Sequence, residues 1–254
     1  MSVGVYRPAG TTDLMLEIAK GNVTGHSSIN KFGENNDVAG DTYEDIWDGG
    51  GNYPYPTTAT ITHISQATDQ VGTDGGATIE VQGLDTNWAL VVQTADLDGT
   101  NTTTEVALGT ALIRVFRMKV LENIILAADV SAVASGGATT YATILAGNNQ
   151  TLMALYTVPA GKTAYMTKYY ASFTKSAVRD PAGVGIRLWA ADRANSYEFQ
   201  LKHSIGIQVG STALEHSFAP YQKFTEKTDI RINAIPLTNA GNISAGFDLI
   251  LVDN

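Results

Sequence analysis

The stretch from Thr151 to Phe173, TLMALYTVPAGKTAYMTKYYASF, limits what this chain can fold into more than any other. Alternation puts Leu152, Ala154, Tyr156 and Val158 on one side and Met153 and Leu155 on the other. Farther on, Tyr165, Tyr169 and Phe173 share a face, and Met166 and Tyr170 share the opposite one. A period of two, filled with branched and aromatic residues, belongs to a pleated strand. Between the two runs, Pro159 presets φ for a turn and Gly161 suits its exit. The pattern predicts two strands joined as a hairpin, apolar on both faces. Such a hairpin needs cover on both sides, inside a sandwich or against a neighbouring subunit.

The same rhythm runs through most of the chain. TATITHI, ATIEVQGL, WALVVQT, TTTEVAL and ALIRVFRMKVL read as successive strands before SAVASGGATT, a small-residue stretch that reads as an exposed tip or a linker. TYATILAG, VGIRLWA, YEFQLKH, ALEHSFA, DIRINAI and AGFDLILVDN continue the series. Turn residues separate these runs, and no helical period lies between them, which excludes βαβ units. The expected fold is all-β: two jelly-roll-like β-sandwich modules, residues 58–145 and 146–254.

Residues 1–57 read as a separate zone. LMLEIA, behind Thr12 and ahead of Gly21, fits a short capped helix, and its Leu14, Leu16 and Ile18 fit a strand equally well. The following run is rich in Gly, Asn and Asp, with large anchors at Val23, Ile29, Phe32, Ile46 and Trp47. Those anchors argue against disorder. The segment reads as a loop tied to its own domain or as an extended arm laid across a neighbouring subunit, and the arm is the expectation carried forward.

Charge and cysteine usage narrow the function classes. Charged residues are 16% of the 254, and the net charge is −9. Without a basic tract, direct nucleic-acid binding is not expected. The absence of cysteine removes disulfides, thiolate nucleophiles and cysteine zinc sites. No basic-then-apolar leader opens the chain, and no apolar run reaches the ~20 residues of a membrane helix. Folding in a cytoplasm, away from membranes, is the expectation.

No motif builds a catalytic set. Asp96-Leu97-Asp98-Gly99-Thr100 matches the DxDGT pattern of haloacid dehalogenase-like phosphotransferases, but strand-like sequence follows where that chemistry needs a helix. Asp-Gly between strands is a hairpin turn. GTDGG at 72–76 lacks the Lys-Ser/Thr pair of a phosphate loop. The carboxylates from Asp41 to Asp48 do not follow EF-hand spacing and read as a solvated acidic loop. His26, His63, His203 and His216 form no paired ligand motif. The chain is expected to be no enzyme and to hold no cofactor or metal.

Several blocks together resemble a family of tailed-phage virion structural proteins common among phages of aquatic bacteria. They are GHSS with NKFG (25–33), IWDGGG (46–51), EVQGLD (80–85), IRVFRM (113–118), AGNNQTLM (146–153), VPAGKT (158–163), EFQLKH (198–203) and SAGFDLI (244–250). The resemblance implies a virion component assembled in the host cytoplasm, with no catalytic residue to carry over. Among particle roles, a capsid decoration or cement subunit is the leading expectation, as a homotrimer bound to the major capsid protein. The alternatives are a tail- or neck-associated component and a host-glycan-binding β-sandwich with Trp189 in its stacking surface. Phe32, Trp47, Tyr53, Tyr165, Tyr169 and Tyr170 are the candidate assembly contacts.

Overall fold

The computed structural model describes residues 13–66, 76–97, 105–137, 139–175, 183–208, 210, 213–237 and 239–254. One helix, α1 (Leu14–Ala19), precedes the strands. In chain order these are β1 (His26–Val38), β2 (Glu44–Asp45), β3 (Ile61–Gln66), β4 (Thr78–Leu84), β5 (Leu90–Asp96), β6 (Val106–Leu112), β7 (Arg114–Val120) and β8 (Val130–Val133). Then come β9 (Thr140–Ile144), β10 (Leu155–Thr157), β11 (Lys162–Lys175), β12 (Gly183–Asp192), β13 (Gln200–Gln208), β14 (Leu214–Phe224), β15 (Thr228–Leu237) and β16 (Gly241–Asp253). The protein is all-β, and every ladder between these strands is antiparallel. Two sheets, ordered β6-β3-β8-β9 and β5-β4-β7, enclose one core. Two others, β1-β16-β11-β14 and β10-β15-β12-β13 with β2 added beside β15, enclose a second.

Of the two readings of LMLEIA, the helix is the one adopted. Asp13 is its N-cap, accepting from the Met15 N–H, and Gly21 stops it at φ +77°. Thr12, the expected cap, lies outside the described residues.

The long segment behind the helix departs from the arm expectation. From His26↔Val252 to Val38↔Gly241, β1 pairs with β16 of the same chain, so this stretch is an edge strand of the second sandwich. Its sequence hides that role. Between Ile29, which packs against the core, and Val38, which lies in it, the inward positions are Lys31, Gly33 and Asn35, because there β1 crosses over backbone. At Gly33 a Cβ would lie 2.6 Å from the Ile46 carbonyl oxygen and closer still to the Ala154 nitrogen.

The central stretch is two strands, as expected, but they do not form a hairpin. β10 pairs with β15, whereas β11 pairs with β14 and β16. The Pro159–Gly161 turn therefore carries the chain from one sheet to the other, with Gly161 at φ +75°. Both faces of the incoming run are covered, each by a different core. Ala154, Tyr156 and Val158 point into the second core; Met153 and Leu155 point into the first. Ile46 and Trp47 divide in the same way. The two sandwiches thus share a wall, and the first core draws Trp47, Tyr53, Met153 and Leu155 from beyond residues 58–145.

A bulge also reverses part of the predicted facing in β11. The register shifts between Met166 and Lys168, leaving Thr167 as the extra residue. Ala164, Met166, Tyr169, Ala171 and Phe173 then pack inward, while Tyr165 and Tyr170 lie on the outer side.

Candidate assembly surfaces

The six aromatic residues expected to make assembly contacts fall into two groups. Trp47, Tyr53 and Tyr169 are core residues, at most 5% exposed. Trp47 and Tyr53 meet edge to face at 5.3 Å, and the Tyr53 hydroxyl donates to the Val115 carbonyl. Tyr169 is turned inward by the Thr167 bulge. These three have no surface to offer a partner and are corrected to packing roles. Phe32, Tyr165 and Tyr170 remain partly exposed on the outer face of the β1-β16-β11-β14 sheet. There Tyr170 lies across Gly246, beside the Phe32↔Gly246 pair, where any Cβ at residue 246 would strike its ring. Lys168 sits one step along, 3.0 Å from Glu215 and 3.8 Å from Asp248.

Other exposed apolar residues were not singled out by alternation, because they sit where alternation places polar groups. β13 and β14 each have one paired side in their own sheets, and Leu201 and Tyr221 on them are about half exposed (46% and 50%). On the first sandwich, Leu90 and Val92 of β5 and Ile125 beyond β7 stand out from the surface.

The seam between β13 and β14 is closed by histidines. His203 and His216 stack with ring centres 4.0 Å apart, and His203 Nδ1 lies 2.5 Å from the Tyr169 hydroxyl. Burial, with the His216 charge adding to it, pushes the His203 pKa down. This cluster explains two of the four histidines as parts of a seam.

The acidic loop folds inward instead of standing in solvent. Asp45 is fully buried, accepting from the Tyr53 N–H and from Arg231 at 3.1 Å. Glu44 accepts from Ala39 N, Gly51 N and the Asn35 amide. Asp48 accepts from the Leu152 N–H at 2.6 Å, and its other oxygen is buried with no partner among the described residues. Burial raises the Asp48 pKa to about 7; the Leu152 N–H opposes this, and the Glu34 and Asp129 charges add to it. Among the described residues, no group of three or more His, Asp or Glu side chains could hold a metal ion.

A second carboxylate binds the two sandwiches together. Asp229 of β15 is fully buried and receives Arg114 of β7 through both oxygens at 2.8 Å. Thr157 donates to it at 2.6 Å and Arg193 at 2.8 Å. The remaining N–H groups of Arg114 reach the carbonyls of Pro56 and Ile113, and its guanidinium lies over Trp88 and Tyr55. Sequence spacing gave no signal for a pair 115 residues apart.

The other motifs take structural places. Asp96 ends β5 and accepts from Thr78, in an antiparallel sheet; residues 98–100 lie outside the described residues. Most of the glycine run at 72–76 does so too, and Gly76 precedes β4 at φ +79°. Trp189 donates to Asn233, and the Arg187 guanidinium lies between it and Tyr43. No protein-family model and no curated protein matches the chain.

Proposed function

We propose that this protein is a non-enzymatic virion structural component of a tailed phage, a capsid decoration or cement subunit acting as a homotrimer on the major capsid protein. The observation that carries the proposal is the strand order of the second sandwich. Four antiparallel pairs, β1·β16, β10·β15, β11·β14 and β12·β13, stack as β1-β16-β11-β14 over β10-β15-β12-β13. We read this as an eight-stranded jelly roll, an architecture of viral capsid domains, with the first sandwich inserted between β2 and β10. Lectins use the same architecture, so the fold alone does not choose a function. The blocks that resemble the phage family add support. Their glycines Gly33, Gly83 and Gly246 each sit where a Cβ would run into backbone atoms.

A repeated shell subunit needs surfaces that meet copies and capsid at many sites. The half-exposed strands β13 and β14, and the Phe32–Tyr170 face, suit that use. The test is the copy number of this chain in purified particles, measured by mass spectrometry against the major capsid protein. Copies comparable with the capsid protein, and a trimer by light scattering, are expected. A few copies per particle would place the protein in the tail or neck instead.

A further inference from the structure

A cleft of about 80 Å³ opens where β1 passes β4, β7 and β10, lined in part by Ser28, Lys31, Gln82, Phe116, Arg117 and Tyr156. Lys31 is 3% exposed, and its ammonium donates to the Phe116 carbonyl oxygen. That is one acceptor for three N–H groups. Arg117 donates to the Asn30 carbonyl at 3.1 Å. Neither cation has a carboxylate within ion-pair distance among the described residues. Glu80, two residues before Gln82, is occupied by Lys119 at 3.0 Å and by the Gln82 amide at 2.7 Å. Tyr156 is also 3% exposed, and its hydroxyl has no hydrogen-bond partner among the described residues. In a chain of net charge −9, two cations and an unpartnered hydroxyl meet without a direct ion pair; the Arg117 charge reaches Glu80, whose carboxylate is bonded to Lys119 and Gln82.

We propose that this cleft binds a single carboxylate, held by Lys31 and Arg117 with the Tyr156 hydroxyl as a third donor. The size fits. A trapped water needs roughly 10–15 Å³ of such volume, so the cleft takes a carboxylate and its first carbons but no sugar ring or nucleotide. The chemistry fits as well, since a buried ammonium and a guanidinium are compensated by charge-assisted hydrogen bonds to an anion. Burial, with Arg117 adding to it, pushes the Lys31 pKa well below its usual range. Above that pKa, carboxylate binding takes up one proton to restore the ammonium, so affinity falls as pH rises. Two sources share this chemistry: a free small carboxylate, and an acidic side chain of a second copy of this chain. The site does not depend on the virion role.

The probe is acetate, with acetamide as its neutral counterpart, added at constant ionic strength while thermal unfolding is followed. Acetate is expected to raise Tm saturably, more at about pH 6 than at about pH 9, and acetamide is not. Lys31→Met and Arg117→Gln should each weaken the acetate effect roughly tenfold or more, the scale of one charged hydrogen bond. Arg117 is only partly buried, so its variant keeps the test alive if Lys31→Met does not fold. Light scattering on the same samples separates the sources. If acetate dissociates an oligomer and Arg117→Gln is dissociated without it, the carboxylate comes from another copy. If Tm rises with the oligomeric state unchanged, it is free in solution. An equal response to acetamide, or a full acetate response in Arg117→Gln, overturns the proposal. So does an absence of any acetate effect on Tm and on assembly.

Discussion

Single side chains in this protein are held by backbone at least as much as by one another, and Asp229 is an exception, held by side chains alone. Its two oxygens accept four side-chain hydrogen bonds at zero exposure, so Asp229→Ala would strand two arginines in the seam. A loss of about 3–5 kcal/mol is expected in urea unfolding, the usual effect of breaking a buried pair from one side. Asp48 gives a pH signal of opposite sense to most carboxylates. Unfolded, it titrates near 3.9; folded, burial holds it protonated to about 7. Between those values the unfolded chain is ionised and the folded one is not. Its contribution is therefore complete below about pH 4 and falls away as pH rises towards 7. Asp48→Asn keeps an acceptor for the Leu152 N–H and should flatten that part of the stability–pH curve. An unchanged curve would mean that Asp48 is ionised in the fold.

At the level of elements, alternation was legible and its interruptions were not. The run Met153–Val158 alternates as read from the sequence, and both of its faces are buried as required. Which sheet each end joins was hidden, because Pro159 and Gly161 suit a crossover as well as a hairpin. The bulge at Thr167 was silent for a different reason: one extra residue changes facing without changing composition. Deleting Thr167 would remove the extra residue and leave Met166↔Leu249 and Lys168↔Asp248 as consecutive pairs, so Tyr169 should stay inward against His203 and the second core. Its near-UV dichroism should be kept, and a loss of about 2 kcal/mol or more, the scale of exposing such a ring, would mean that the inward facing depends on the bulge. β1 was missed because Lys31, Gly33 and Asn35 fill its inward side between Ile29 and Val38, which leaves no apolar period. Trp47, Tyr53 and Tyr169 left the set of candidate contacts for a related reason, since large aromatic residues fill a core before they meet a partner.

Taken as one object, the molecule is two sandwiches with a common wall. The wall removes the independence that the boundaries at 57 and 145 implied. A fragment of residues 58–145 keeps both of its sheets but lacks Trp47, Tyr53, Met153 and Leu155, four buried side chains of its core. It is expected to show no cooperative unfolding and poor dispersion in an amide NMR spectrum. A fragment starting at residue 57 loses β1, exposes the flank of β16 and should fail in the same way. The intact chain should unfold in a single transition; two separated transitions would mean that the wall couples the halves weakly. The all-β class was readable from strand rhythm over the whole chain, whereas the partition into cores depended on pairings between distant residues. The most distant of these also sets a timetable. His26 must find Val252, so β1 has no ladder until almost all of the chain exists. At ~5–20 residues per second, a ribosome needs roughly 10 to 45 s to cover that interval. Throughout it the outer flank of the second sandwich stays open, and the nascent chain depends on whatever shields it from its neighbours.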